Sequence, residues 1–130
     1  MRPLIYVSGP LSEGTGKSKY SNIVRAVEVG EELYDKGWHP YIPHLTALQH
    51  RIIQRIQPGY IPPYERWMEF DKVILDRCEA MYFIDPSPGA NEELRFAKSR
   101  RIPVYYCMEE VPRGEDVMEI EDMGRGGDKL

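Results

Sequence analysis

An α/β fold with a mostly parallel sheet follows from three features of the sequence. Four short apolar runs recur along the chain: Leu4–Ser8, Trp38–Ile42, Ala80–Ile84 and Ile102–Cys107. Amphipathic stretches of helical spacing lie between them. Turn-forming residues close the first three runs, as Gly9-Pro10, Pro43-His44 and Asp85-Pro86. A strand, a helix and another strand in succession make a parallel crossover unit. A sheet built from such units carries helices on both faces.

The elements read in order as follows. Leu4–Ser8 is a buried first strand bounded by a Gly-Pro turn. Residues 9–18, GPLSEGTGKS, form a polar glycine-rich loop. Tyr20 to Lys36 has helical spacing, with Ile23, Val27, Gly30 and Tyr34 on one face and Val24 and Leu33 beside it. Gly37 suits the C′ position that stops this helix. Trp38–Ile42 is the second strand, and Ala47–Ile56 a short helix. A proline-rich connection, Pro58–Pro63, leads to a helix from Tyr64 to Arg77 whose apolar residues are Trp67, Phe70, Val73 and Ile74. Ala80–Ile84 is the third strand, followed by the loop Asp85–Asn91. Glu92 and Glu93 then open a helix to about Arg101, and Ile102–Cys107 is the last strand. One domain is expected over residues 1–108, with an acidic, partly mobile tail over 109–130.

Bulk properties narrow the function classes. A length of 130 residues fits one core. A net charge of −4 argues against a general nucleic-acid surface, yet a local pocket on an acidic protein still binds a small anion. Cys78 and Cys107 have no metal-type or disulfide spacing and read as packed, reduced thiols. The three histidines have no zinc-like spacing, so no metal and no cofactor is assigned. No apolar stretch is long enough to span a bilayer, and Met1-Arg2-Pro3 runs straight into a strand, so a cytoplasmic location and no membrane partner are expected.

In an open α/β sheet, ligands sit beyond the carboxyl ends of the strands. That rule singles out the loop after the third strand. Ser87 lies before Gly89 and a helix start, where a hydroxyl and nearby amides suit a phosphate; an ordinary helix-approach turn, where Ser and Pro are common, is the alternative. Glu92 and Glu93 gain from the helix dipole, which alone explains acidic residues there. Neighbours on a helix differ by about 100°, so only one faces the cleft. Glu93 precedes Ala97 by four residues and is the inward candidate, with Glu92 facing water. Asp71 follows Trp67 by one helical turn and shares its face. An apolar surround raises a carboxyl pKa and suits it to proton transfer. His44 ends the second strand and lines the same cleft, whereas His39 and His50 read as surface residues.

Gly16-Lys17-Ser18 matches the end of the P-loop pattern, but the glycine required five positions before Gly16 is Leu11. A looser anion grip by Ser12, Thr15 and Lys17, ahead of a helix N-terminus, stands beside a plain surface loop.

Five segments in order carry a resemblance: Ile5-Tyr6-Val7-Ser8-Gly9-Pro10, Pro43-His44-Leu45-Thr46, Tyr64-Glu65-Arg66-Trp67 with Asp71, Gly89-Ala90-Asn91-Glu92-Glu93-Leu94 with Ala97, and Ile102-Pro103-Val104. Together they resemble the nucleoside 2-deoxyribosyltransferase-like superfamily, including its small members and its deoxynucleoside-monophosphate N-hydrolase branch. The resemblance covers residues 4 to about 107. It implies a flavodoxin-like, Rossmann-type three-layer sandwich with a four- to five-stranded sheet, and a homodimer or larger homo-oligomer. It also implies cleavage of the N-glycosidic bond of a nucleoside or its 5′-monophosphate, with no nucleic-acid polymer as substrate. By position, Glu93 is the nucleophile, Asp71 the acid near sugar and base, and Tyr6 an aromatic hydroxyl beside the nucleophile. Ser87 is the 5′-phosphate serine and Gly9 the glycine after the first strand. The first loop lacks the arginine some of these hydrolases use for phosphate, and Lys17 stands in its place. A non-catalytic nucleotide-binding or sensing module on the same fold is the alternative, and a P-loop kinase a weaker third reading.

Overall fold

In the computed structural model, which describes residues 1–11 and 18–118, four strands form one all-parallel sheet. They are β1 (Leu4–Ser8), β2 (His39–Tyr41), β3 (Ala80–Phe83) and β4 (Val104–Tyr105), in the order β2-β1-β3-β4. Among the described residues the helices are α1 (Lys19–Asp35), α2 (Thr46–Ile56), α3 (Tyr64–Leu75) and α4 (Pro88–Ser99), with short 3-10 turns at Pro43–Leu45 and Met108–Glu110 and a further helical stretch over 114–118. The fold is an α/β three-layer sandwich with the strand order of the flavodoxin-like class.

Side-chain alternation along the strands sorts the core into two halves. Ile5, Val7, Ala80 and Tyr82 point to one face and pack with Ala26 and Leu33 of α1, Trp38 and Val111. Tyr6, Met81 and Phe83 point to the other and pack with Leu75 of α3 and Ala90 and Ala97 of α4. β1 and β3 are buried almost throughout, as expected for central strands covered on both faces.

Several sequence expectations need correction. α1 buries Asn22, Ala26, Gly30 and Leu33 instead of the stripe through Val27 and Tyr34, which stay exposed. Small residues let the helix lie close to the sheet, and this outweighs the larger apolar area of the neighbouring stripe. α3 is rotated in the same way: Met68, Asp71 and Leu75 are buried, whereas Phe70 and Val73 are exposed. α3 stops at Leu75 instead of Arg77. β2, β3 and β4 are shorter than the apolar runs that announced them. α4 begins at Pro88, capped by Ser87, so Glu93 lies in its second turn. Pro is favoured at the first helical position, which explains the early start. Gly37 stops α1 as expected, with a positive φ of 98°.

The expected boundary at residue 108 falls inside packed structure. Val111 is 3% exposed, the Trp38 indole N–H donates to the Pro112 carbonyl at 2.9 Å, and the Gly114 N–H donates to the Lys36 carbonyl at 2.9 Å. The part of the expected tail over 119–130, and the glycine-rich loop over 12–17, lie outside the described residues. Among the described residues no helix is long and apolar enough to cross a membrane.

Candidate active site

The reversal of strand order opens a crevice between the carboxyl ends of β1 and β3, which are hydrogen-bonded neighbours in the sheet. A cavity of about 810 Å³ lies there, a size that suits a small organic ligand. Gly9, after β1, and Ser87, Gly89 and Glu93, after β3, line it from the sheet side. Asp71 and Trp67 of α3 and His44 line it from above. The predicted site residues therefore come together, with two exceptions. Lys17 lies outside the described residues, although Lys19 at the start of α1 lines the cavity. Tyr6 sits beneath the cavity, fully buried, and reaches it through Glu93.

Glu93 is 6% exposed and faces the sheet because Ala90, Glu93 and Ala97 recur at helical spacing on the inner side of α4. Residues of β1 that point to the same face meet it. The Tyr6 hydroxyl donates to Glu93 Oε2 at 2.5 Å, and the Ser8 hydroxyl donates to Oε1 at 2.7 Å. Both oxygens are thus pinned, leaving one lone pair on each to face the cavity. Burial pushes the Glu93 carboxyl up to about 7, against the two hydroxyls that favour its charged form; the Asp71 charge adds to the rise. Burial, followed by the nearby Glu93 and Asp71 charges, holds the Tyr6 phenol well above its usual range, so it remains a proton donor.

Asp71 is 7% exposed, and burial pushes it up to about 6. Among the described residues its side-chain partner is Tyr41 of β2, whose hydroxyl donates to Oδ1 at 3.3 Å and favours the carboxylate. The Tyr41 and Tyr6 rings lie 5.5 Å apart, so a continuous file runs Asp71, Tyr41, Tyr6, Glu93. Ser8 and Tyr41 are functional-site residues that sequence reasoning missed. Both lie in apolar strand segments where a lone hydroxyl gives no signal of its own.

His44 is 3% exposed and its Nε2 lies 3.2 Å from the carbonyl oxygens of both Gly9 and Pro10. Two carbonyl neighbours require Nε2 to carry the proton, and burial keeps the ring neutral by lowering its pKa. His44 thereby clamps the turn after β1. The turn needs Gly9, since a Cβ there would lie 3.0 Å from the Ile84 Cβ. His50, expected on the surface, instead lines the cavity and accepts from the Trp67 indole N–H at 3.0 Å. Glu92, expected to face water, lies at the cavity rim and pairs with Lys72 at 2.9 Å.

Ser87 caps α4: its Oγ accepts from the Ala90 N–H at 3.1 Å. The hydroxyl proton is not used by that bond and is free to point to an anion at the helix N-terminus. Among the described residues no cluster of three or more His, Cys, Asp or Glu is placed to hold a metal ion. No family model matches this chain, and no curated protein matches it.

Proposed function

We propose that the chain cleaves the N-glycosidic bond of a nucleoside or a nucleoside 5′-monophosphate, with Glu93 as nucleophile and Asp71 as acid. The observation that carries this reading is the pair of buried carboxylates lining one cavity, one of them held by two hydroxyls. The order of the five sequence segments supports the same assignment. Trp67 and Tyr64 offer the cavity aromatic surface for a base, and Ser87 at the N-terminus of α4 offers a phosphate position.

Two steps account for the chemistry. As the C1′–N bond breaks, its electron pair passes to the base nitrogen, which takes the proton of the Asp71 carboxyl. A Glu93 oxygen bonds to C1′, where positive charge develops. Water then bonds to C1′, its proton goes to the Asp71 carboxylate, and the Glu93–C1′ bond breaks. The analogy is to retaining glycosidases. A second base in place of water makes the same enzyme a transferase.

The two raised carboxyls share one proton, and the reactive form is the one that holds it on Asp71 with Glu93 ionised. With Asp71 near 6 and Glu93 near 7, the pair carries one proton between those values. Activity is expected to follow a bell with its maximum between pH 6 and 7. The test is a panel of ribo- and deoxynucleosides and their 5′-monophosphates, with and without an acceptor base, with free base measured by chromatography. Release of base from one of them supports the proposal, and appearance of a new nucleoside identifies transfer. Binding of a nucleotide with no base release from any member would establish the alternative, a nucleotide-binding or sensing module.

A further inference from the structure

Ser8 is the last residue of β1 and is fully buried. It is not among the residues that line the cavity, and the resemblance gives it no role. Its backbone is held by the sheet: Ser8 lies opposite Phe83 in the parallel register, and its carbonyl accepts from the Ile84 N–H at 2.8 Å. Residues two apart on a strand point to the same face, so the Tyr6 and Ser8 hydroxyls emerge together beneath α4. A serine hydroxyl has one proton to donate. Ser99 and Thr46 give theirs to carbonyls three residues back, Phe96 and Pro43, both at 2.7 Å. Ser8 gives its proton to the Oε1 of Glu93, at 2.7 Å.

One donor and two donors do different things to a carboxylate. The last side-chain torsion of a glutamate is soft, with broad two-fold wells. Tyr6 holds Oε2 at one point, and a single point leaves the group free to swing. Ser8 adds a second point from the same strand, and two points fix the plane. We infer that Ser8 is a positioning residue for the cleavage proposed above, a role that rests on that reading: with Tyr6 it fixes the Glu93 carboxylate for attack at C1′ and biases the shared proton towards Asp71. The bias follows from an unequal grip. Glu93 receives two short hydrogen bonds, whereas Tyr41 reaches Asp71 at 3.3 Å. Hydrogen bonds to a charged form favour it, so the two hydroxyls draw negative charge to Glu93. Among the described residues, the titratable groups that face Glu93 are Tyr6 on β1, Tyr41 on β2, Asp71 and Tyr64 on α3 and Glu92 on α4. None of these is a cation, and Lys72 is engaged by Glu92. The two hydroxyls are what favour charge on Glu93.

The test is Ser8→Ala, which removes the hydroxyl and little volume. Base release from the best substrate of the panel is followed from about pH 5 to 8. Glu93 is titrated in parallel by carboxyl-carbon NMR. The kcat should fall roughly 10- to 100-fold, with KM within about threefold because Ser8 does not line the cavity. Without the Ser8 donor Glu93 holds the shared proton more tightly. Its titration should therefore move up, and the alkaline limb of the bell should move to higher pH while the maximum falls. A serine that only packs would change stability and leave both titrations in place. Far-UV circular dichroism checks the fold. If Ser8→Ala does not fold, Ser8→Cys keeps the shape with a weaker donor, and the same shifts are expected at smaller size. A wild type that releases no base removes the proposed function, and this role of Ser8 with it. A wild type that releases base, beside a folded Ser8→Ala whose kcat, alkaline limb and Glu93 titration are unchanged, would overturn the inference alone. So would a rise in KM at unchanged kcat, which would make Ser8 a binding residue.

Discussion

Glu93 is where the physical costs of the site are concentrated. Its carboxyl is almost fully buried, and the two hydroxyls that grip it offset only part of the lost hydration. The consequence for stability has a definite sign. Between the unfolded value of 4.5 and the folded value of about 7, the native state holds a proton that the unfolded chain has released. Stability therefore falls as pH rises through that window, by on the order of 3 kcal/mol for this residue alone. Asp71 contributes in the same direction between 3.8 and about 6. His44, buried and neutral, acts in the opposite sense, gaining stability as pH rises towards its unfolded value. The comparison that isolates Glu93 is thus wild type against Glu93→Gln. Thermal melts from pH 4.5 to 8 should fall more steeply for wild type, with Glu93→Gln the more stable at pH 8. Parallel curves would contradict the burial cost assigned to Glu93. Tyr41 supplies a second prediction. Its hydroxyl favours the charged form of Asp71, so Tyr41→Phe should raise the Asp71 pKa, read directly by carboxyl-carbon NMR titration. Base release should then keep its acid limb at higher pH than in wild type. Glu93 was legible in the sequence because its helix and its i+4 alanine fix the direction of its side chain. Ser8 and Tyr41 were not, because what makes them functional is register between strands, and register is absent from any single segment.

At the level of elements, α4 joins structure to function. Ser87 caps the helix, Pro88 starts it, and the resulting phase turns Glu93 inward and leaves Glu92 at the rim. One residue of slip would exchange the two carboxylates by about 100°. Ser87 has two separable roles. Loss of the cap in Ser87→Ala should cost about 1 kcal/mol of stability, measurable by denaturant titration. If the hydroxyl also grips phosphate, the same variant should lose more turnover on monophosphates than on nucleosides; equal losses on both would leave only the cap. The other helices show where sequence patterns mislead. On α1 the stripe with the larger apolar residues faces out, whereas on α3 Met68 and Leu75 face in and Phe70 and Val73 face out. Hydrophobic size favoured the outer stripe on paper, whereas close approach to a flat sheet favours Ala26 and Gly30 on α1. On α3, the inner stripe is the one that delivers Asp71 to the cavity.

The whole molecule places this chemistry through strand order. A four-stranded parallel sheet in the order β2-β1-β3-β4 reverses direction at β1, and the cavity opens where the ends of β1 and β3 part. The alternation of apolar runs with amphipathic stretches made that architecture legible. The end of the domain was less so: residues 109–111 read as an acidic tail, yet Val111 completes the core beside Trp38. One apolar residue amid charges carries no periodic signal, and only the packing reveals its role. The central claim is that Glu93 attacks C1′, and base release by Glu93→Gln on the best substrate of the panel tests it most directly. The account requires the variant to bind that substrate with wild-type affinity, within about threefold, and to release base at least ~1,000-fold more slowly. Base release at the wild-type rate by a folded Glu93→Gln protein would contradict it.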